Sequence, residues 1–117
     1  MKKNISILIY NGNEPLPKQG GMERVTDSLA RGLKERGFNV ILLCKNHNRL
    51  GEVYTPPVPI FFIPNENSQD YIKQIIKENN ITHIIDQTEG GIIGKFGFFK
   101  KRESFLKNIT MIAVQHS

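Results

Sequence analysis

The chain has 117 residues, 38% of them hydrophobic, a formal charge of +5 and a single cysteine. That length suits one compact domain, which buries roughly two thirds of its unfolded surface and needs no disulfide or structural metal. One cysteine excludes an internal disulfide framework, and no apolar run approaches the ~20 residues of a membrane-spanning helix.

After Lys2 and Lys3 the apolar stretch is interrupted by Asn11, Asn13 and Glu14, short of the ~7 to 15 apolar residues of a signal sequence, so a cytoplasmic protein is expected. Residues 4–10, NISILIY, form a continuous apolar run of strand length, the pattern of a strand covered on both faces of a parallel sheet. A polar loop from Asn11 to Gly21 then precedes a helix. Met22, Val25, Leu29 and Leu33 recur at steps of three and four, which predicts that they form its buried stripe. Gly37 is placed to end the helix in the left-handed conformation. FNVILLC at 38–44 is a second buried strand, completing a βαβ unit with a right-handed crossover. Cys44 reads as a small buried hydrophobe.

A polar, Pro-rich connection leads to a third short strand, IFFI at 60–63, stopped by Pro64. Ser68 is placed to cap a helix bearing Tyr71, Ile72, Ile75 and Ile76, which ends near Asn79 and Asn80. THIID at 82–86 is the fourth strand. His83 within it, and His47 in its polar loop, read as structural. In residues 88–108, Gly90, Gly91, Gly94 and Gly97 weaken a helix, although Phe98 to Lys107 could form one. ITMIAVQHS at 109–117 is the fifth strand. The class is therefore α/β: a Rossmann-like, doubly wound parallel sheet in the expected order 3-2-1-4-5, in one domain spanning 1–117. Ligands of such sheets lie beyond the carboxyl ends of the strands, at the switch between strands 1 and 4. The loops 11–21, 87–91 and 115–117 are selected by that rule.

Gly20 and Gly21 stand at the mouth of the first helix. Adjacent glycines there serve either a turn with positive φ or the close approach of something to bare backbone. With Gly20 as N-cap, the first amides of the helix are unpaired and carry the positive end of its dipole, which suits an anion such as phosphate. Lys18 adds a nearby cation. Glu23, three residues after Gly20, is expected to bond back to the Gly20 N–H as half of a capping box, with contact to an acceptor substrate as its other reading. Neither G-x-x-x-x-G-K-[ST] nor G-x-G-x-x-G occurs in the first loop, which argues against a kinase or an ordinary dinucleotide site.

Gly20, Gly21, Glu23, Val25, Leu29, Ala30, Leu33, Gly37 and Val40 fall on the pattern GG-x-E, V-x-x-L-A-x-x-L-x-x-x-G, h-x-V, with Val25 a little early. This resembles the amino-terminal domain of GT-B glycosyltransferases, particularly the large retaining family 4 group. The resemblance covers residues 4–44 and is topological from there to Ser117. It implies transfer of a sugar from a nucleotide-diphosphate sugar to a saccharide or lipid-linked acceptor, in surface polysaccharide or glycolipid synthesis. The reaction runs in a cleft between two Rossmann-like domains, the carboxy-terminal one holding the nucleotide and lying beyond this chain. Gly20 and Gly21 would then bind the donor diphosphate and stabilise it as a leaving group, with no metal and no cofactor. His116 matches the family's histidine beside the sugar and is the catalytic candidate. Lys18, Glu23, Gln87 and Thr88 are carried as substrate or acceptor contacts. Where the family often has a second histidine, this chain reads Asp86, Gln87, Thr88.

Lys95 to Lys107 mixes Phe96, Phe98, Phe99 and Phe105 with Lys100, Lys101 and Arg102, a composition that suits peripheral contact with an anionic membrane at the inner face. Its plain reading is a basic outer face over apolar contacts. An unpaired edge on strand five would invite self-association. The rival to an enzyme is a noncatalytic receiver-like or flavodoxin-like binding module. Against it, the chain offers Asn11 and Asn65 where receivers carry acids, and lacks a Ser/Thr-rich phosphate loop. No nucleic-acid recognition motif accompanies the positive charge.

Overall fold

The computed structural model describes residues 4–114. Its elements are β1 (Ser6–Tyr10), α1 (Gly21–Glu35), β2 (Asn39–Cys44), β3 (Ile60–Phe62), α2 (Ser68–Glu78), β4 (His83–Asp86), a 3-10 turn (Ser104–Leu106) and β5 (Thr110–Ala113). The sheet is entirely parallel in the order β3-β2-β1-β4-β5, as expected from the alternation of apolar runs and helices. β1 is central, with Ile9 opposite Leu42 on one side and Ile85 on the other.

The two faces follow from crossover handedness. Passing from β1 to β2 puts α1 on one face, and passing the other way from β3 to β4 puts α2 on the opposite one. Ile7, Ile9, Val40 and Leu42 accordingly pack with Ala30, Leu29 and Leu33 of α1 and with Val58. Leu8, Tyr10, Ile41, Leu43 and Ile84 pack with Ile72, Ile75 and Ile76 of α2 and with Ile92, Phe99, Leu106 and Ile109 of the β4–β5 connection. Each such side chain contributes about 1.5–3 kcal/mol relative to leaving it in water. Gly37 does adopt positive φ, at 90°, where α1 ends, and Cys44 is fully buried.

Local expectations fail at three places. In α1 the residues that go inside are Glu23, Thr26, Asp27 and Ala30, while Val25 is 51% exposed. The first half of the helix lies over the polar carboxyl end of β1, so its inward face there is polar. Ser68 does not cap α2: Asn67, at φ 55°, is the N-cap and Ser68 the first helical residue. No helix forms over 98–107, only the 3-10 turn, because the segment is tied down by side-chain and backbone contacts of a loop. β5 spans Thr110–Ala113, with β4 as its one neighbour among the described residues and Ile112 42% exposed; residues 115–117 of the expected strand lie outside the described residues.

Candidate functional site

Gly20 is the N-cap of α1, in extended backbone, and Gly21 opens the helix. Neither has positive φ, so the turn does not require glycine at either position. At Gly20 a Cβ would lie 2.8 Å from Glu23 Oε1, so a side chain there would require the Glu23 carboxylate to shift. Gly21 differs, since nothing lies within 4 Å of where its Cβ would be. The Arg24 N–H is the first to bond back, to the Gly20 carbonyl at 3.1 Å, and the amides of Gly21, Met22 and Glu23 have no partner among the described residues. Bare, open and unpaired backbone at a helix N-terminus is a place where an anion gains hydrogen bonds and dipole.

Glu23 does not form the capping box. Its carboxylate turns inward, where Oε2 accepts from Asn11 Nδ2 at 3.3 Å. Asn11, the residue after β1, is fully buried and also donates to the Asn13 carbonyl at 2.6 Å and accepts from Thr26 Oγ1 at 2.9 Å. Three polar side chains thereby satisfy one another beneath the glycine loop, as burial demands. The next turn of α1 repeats the device: Tyr54 donates its hydroxyl to Asp27 Oδ1 at 2.6 Å, and Arg31 pairs with the same carboxylate at 3.4 Å. Burial, then the hydrogen bond to Asp27, pushes the Tyr54 hydroxyl far above its ordinary range.

The β2–β3 connection braces the loop from outside. Asn48 donates its amide N–H, at 3.1 Å, and its side-chain Nδ2 to Glu14 Oε1. The Arg49 N–H donates to Gln19 Oε1 at 2.7 Å. Lys18 pairs with Glu52 at 3.1 Å on an exposed rim, so its charge is shared with a carboxylate. His47 stacks on Phe62 with centroids 4.0 Å apart and lies 4.0 Å from Glu14.

On the other side of the switch point stands the loop after β4. Asp86 is buried, and its Oδ1 accepts from the Thr88 N–H at 2.9 Å and the Thr88 hydroxyl at 2.8 Å, while Oδ2 accepts from the Ile92 N–H at 2.9 Å. Thr88 therefore turns its hydroxyl inward, and its methyl would be 3.8 Å from a Cβ on Gly12, so the two loops meet there. Gln87 is buried, with its N–H on the Tyr10 carbonyl at 3.0 Å. Burial, with the Asp86 charge second, pushes the Tyr10 hydroxyl up to about 12. Burial, with Glu14 and Glu23 behind it, pushes the Cys44 thiol up to about 12, which keeps it an inert thiol at neutral pH.

Gly20, Gly21 and Glu23 are thus gathered beyond β1, Gln87 and Thr88 beyond β4, and Lys18 stands on the rim. His116 lies outside the described residues. A separate cleft of about 600 Å³ opens at the amino ends of the strands, near Ser6, Asn39 and Asn79, and among the described residues Glu78 is its one charged lining residue. The buried polar clusters of Asn11, Glu23 and Thr26 and of Asp86 and Thr88 lie at the carboxyl ends. Against known proteins, the chain matches no family model, no curated protein and no solved structure. Among the described residues no cluster of His, Cys, Asp and Glu is arranged to hold a metal ion, and no helix is long and apolar enough to cross a membrane.

The organising residues that sequence reading passes over are Asn11 and Asp86. A polar residue immediately after an apolar run is their common signal, since a strand end at the switch point must satisfy buried amides. In the basic-aromatic segment, Phe99 is buried and Phe105 half-buried, and Arg102 donates to the carbonyls of Leu106, Lys107 and Ile109. That part of the segment is structural.

Proposed function

We propose that this chain is the acceptor-side domain of a retaining GT-B glycosyltransferase, in which the amides at the mouth of α1 receive the diphosphate of a nucleotide-sugar donor. The single observation behind this reading is the open, unpaired backbone at Gly21, which no feature of the turn itself requires. The sheet order puts that backbone at the switch point, where ligands of such folds bind.

In this reading the amides of Gly21 and Met22 donate to phosphate oxygens whose negative charge grows as the sugar leaves. Glu23 is held away from them by Asn11, which limits repulsion. A second domain supplies the nucleotide pocket, and His116 remains the candidate beside the sugar. Few backbone hydrogen bonds, each worth about 0.5–1.5 kcal/mol, cannot offset the ~4 kcal/mol or more lost on association, so this domain alone binds weakly.

Titration of the chain with inorganic pyrophosphate and with nucleotide-diphosphate sugars, followed through the backbone amide resonances, tests this. Shifts centred on Gly20, Gly21 and Met22 that grow with ligand without saturating in the millimolar range, and that Gly21→Val removes, are expected. Shifts centred elsewhere, or none with pyrophosphate at about 0.1 M, overturn the reading.

A further inference from the structure

Phe96 is 91% exposed, yet it does not sit on a loose loop. The Gly97 N–H donates to the Gly94 carbonyl at 3.1 Å, closing a turn with Lys95 and Phe96 at its tip. The Gly94 N–H donates to the Phe99 carbonyl at 3.0 Å and the Phe99 N–H to the Ile92 carbonyl at 2.9 Å, so the turn is fastened to the buried ring of Phe99 and through Ile92 to Asp86. Its flanks are pressed against Gly90: a Cβ on Gly94 would lie 2.9 Å, and one on Gly97 2.5 Å, from the Gly90 carbonyl oxygen. At the tip of this fastened turn the aromatic ring lies in water, where folding gains nothing from it.

Cations surround this tip. Lys95 Nζ lies 5.5 Å from the Phe96 ring centroid, Lys100 donates to the Lys95 carbonyl at 3.2 Å, and Lys101 follows it, exposed. From the end of β2, Lys45 reaches over Phe98 at 5.6 Å. Glu89 is the acidic residue exposed on the same loop.

We propose that this turn is a contact surface for an anionic lipid bilayer, Phe96 entering the boundary between headgroups and acyl chains while Lys95, Lys100, Lys101 and Lys45 face lipid phosphates. Phe96 stands exposed at the tip of the turn, with lysines beside it. Lysine stems can run along apolar surface while their ammonium groups stay with phosphate. A single-stranded nucleic acid requires a series of stacking rings, and the next ring, Phe98, is already engaged edge-on by Tyr10 at 6.1 Å. The proposal is independent of sugar transfer, because it concerns where the chain sits and not what it does there.

Co-sedimentation of the full chain with vesicles of phosphatidylglycerol and phosphatidylcholine in equal parts, and of phosphatidylcholine alone, is the test. Binding to the anionic vesicles that weakens at high salt is expected. Phe96→Ser should weaken it about tenfold without lowering the melting temperature, since the side chain is in water already. Joint replacement of Lys95, Lys100 and Lys101 by Gln should weaken it about a hundredfold, whereas Lys77→Gln on α2 should leave it unchanged. Absence of binding, equal binding to neutral vesicles, indifference to Phe96→Ser, or tighter Phe96-dependent binding to single-stranded RNA would each overturn the proposal.

Discussion

Asn11 and Glu23 meet across 3.3 Å beneath the glycine loop, one from the end of β1 and the other from the first turn of α1. The contact joins the central strand to the helix whose mouth carries the candidate anion site. It also supplies the donor that a buried carboxylate needs.

Asn11→Ala should therefore be costly. It strands the Glu23 carboxylate and the Thr26 hydroxyl together, and a destabilisation of about 2–3 kcal/mol is expected from urea unfolding. Combined with Glu23→Ala, the two effects should fall short of their sum by ~0.5 kcal/mol or more, the signature of direct coupling. Strict additivity would mean the contact carries no energy.

Two glycines should respond oppositely to the same methyl group. At Gly91 a Cβ would lie 2.0 Å from Thr88 Oγ1 and 2.6 Å from Tyr10 Cε2, so Gly91→Ala should destabilise by about 1–3 kcal/mol. At Gly21 the space is open, and Gly21→Ala should be neutral or stabilising by up to ~1 kcal/mol. Thermal denaturation of the pair decides whether Gly21 is kept for folding. Under the proposed function, the larger Gly21→Val should lower turnover of a two-domain glycosyltransferase containing this chain at least tenfold, or ~1.4 kcal/mol, with the fold intact.

The strands were legible because β1 and β2 are covered on both faces, which writes unbroken apolar runs into the sequence. The inward face of α1 was not. Val25 and Thr26 are neighbours in the helical period, and only the buried Asn11 makes a hydroxyl at Thr26 preferable inside. The glycine-rich segment was opaque for a different reason: its order comes from the Asp86 carboxylate, from backbone packed on backbone and from irregularly spaced core residues such as Ile92, Phe99 and Leu106, and none of these leaves a periodicity. At the site, the glycine pair announced itself, while the residues that hold it, Asn11 and Asn48, are ordinary loop asparagines until burial is known.

Asp86→Asn separates the two arms of that clamp. The retained oxygen can still accept from Thr88, but the amide group that replaces Oδ2 cannot accept from the Ile92 N–H. Hydrogen exchange should speed up at the Ile92 amide and little at Thr88. Uniform protection at both would mean the loop is held by packing alone.

Alkaline pH should weaken the fold in a defined window. Tyr10 and Cys44 have folded values of about 12 against ordinary values of 10.0 and 9.0, so the folded state holds these protons more tightly than the unfolded chain. Their stabilising contribution is complete below the unfolded values and is lost as pH rises from about 9 towards 12. The slope is at most ~1.4 kcal/mol per pH unit for each group. Tyr10→Phe should flatten the upper part of this loss in unfolding titrations, and an unchanged slope would assign it elsewhere.

The central position of β1 also sets a schedule. Its first neighbour, β2, is complete at Cys44, but its second, β4, begins only at His83. On a ribosome adding about 5–20 residues per second, the intervening stretch of about 40 residues leaves one side of this wholly buried strand unpaired for roughly 2–8 seconds. A nascent chain arrested in that interval presents a sticky ribbon with an open flank, so the yield of native protein should depend on translation speed and on whatever shields emerging chains, quite apart from the stability of the finished fold.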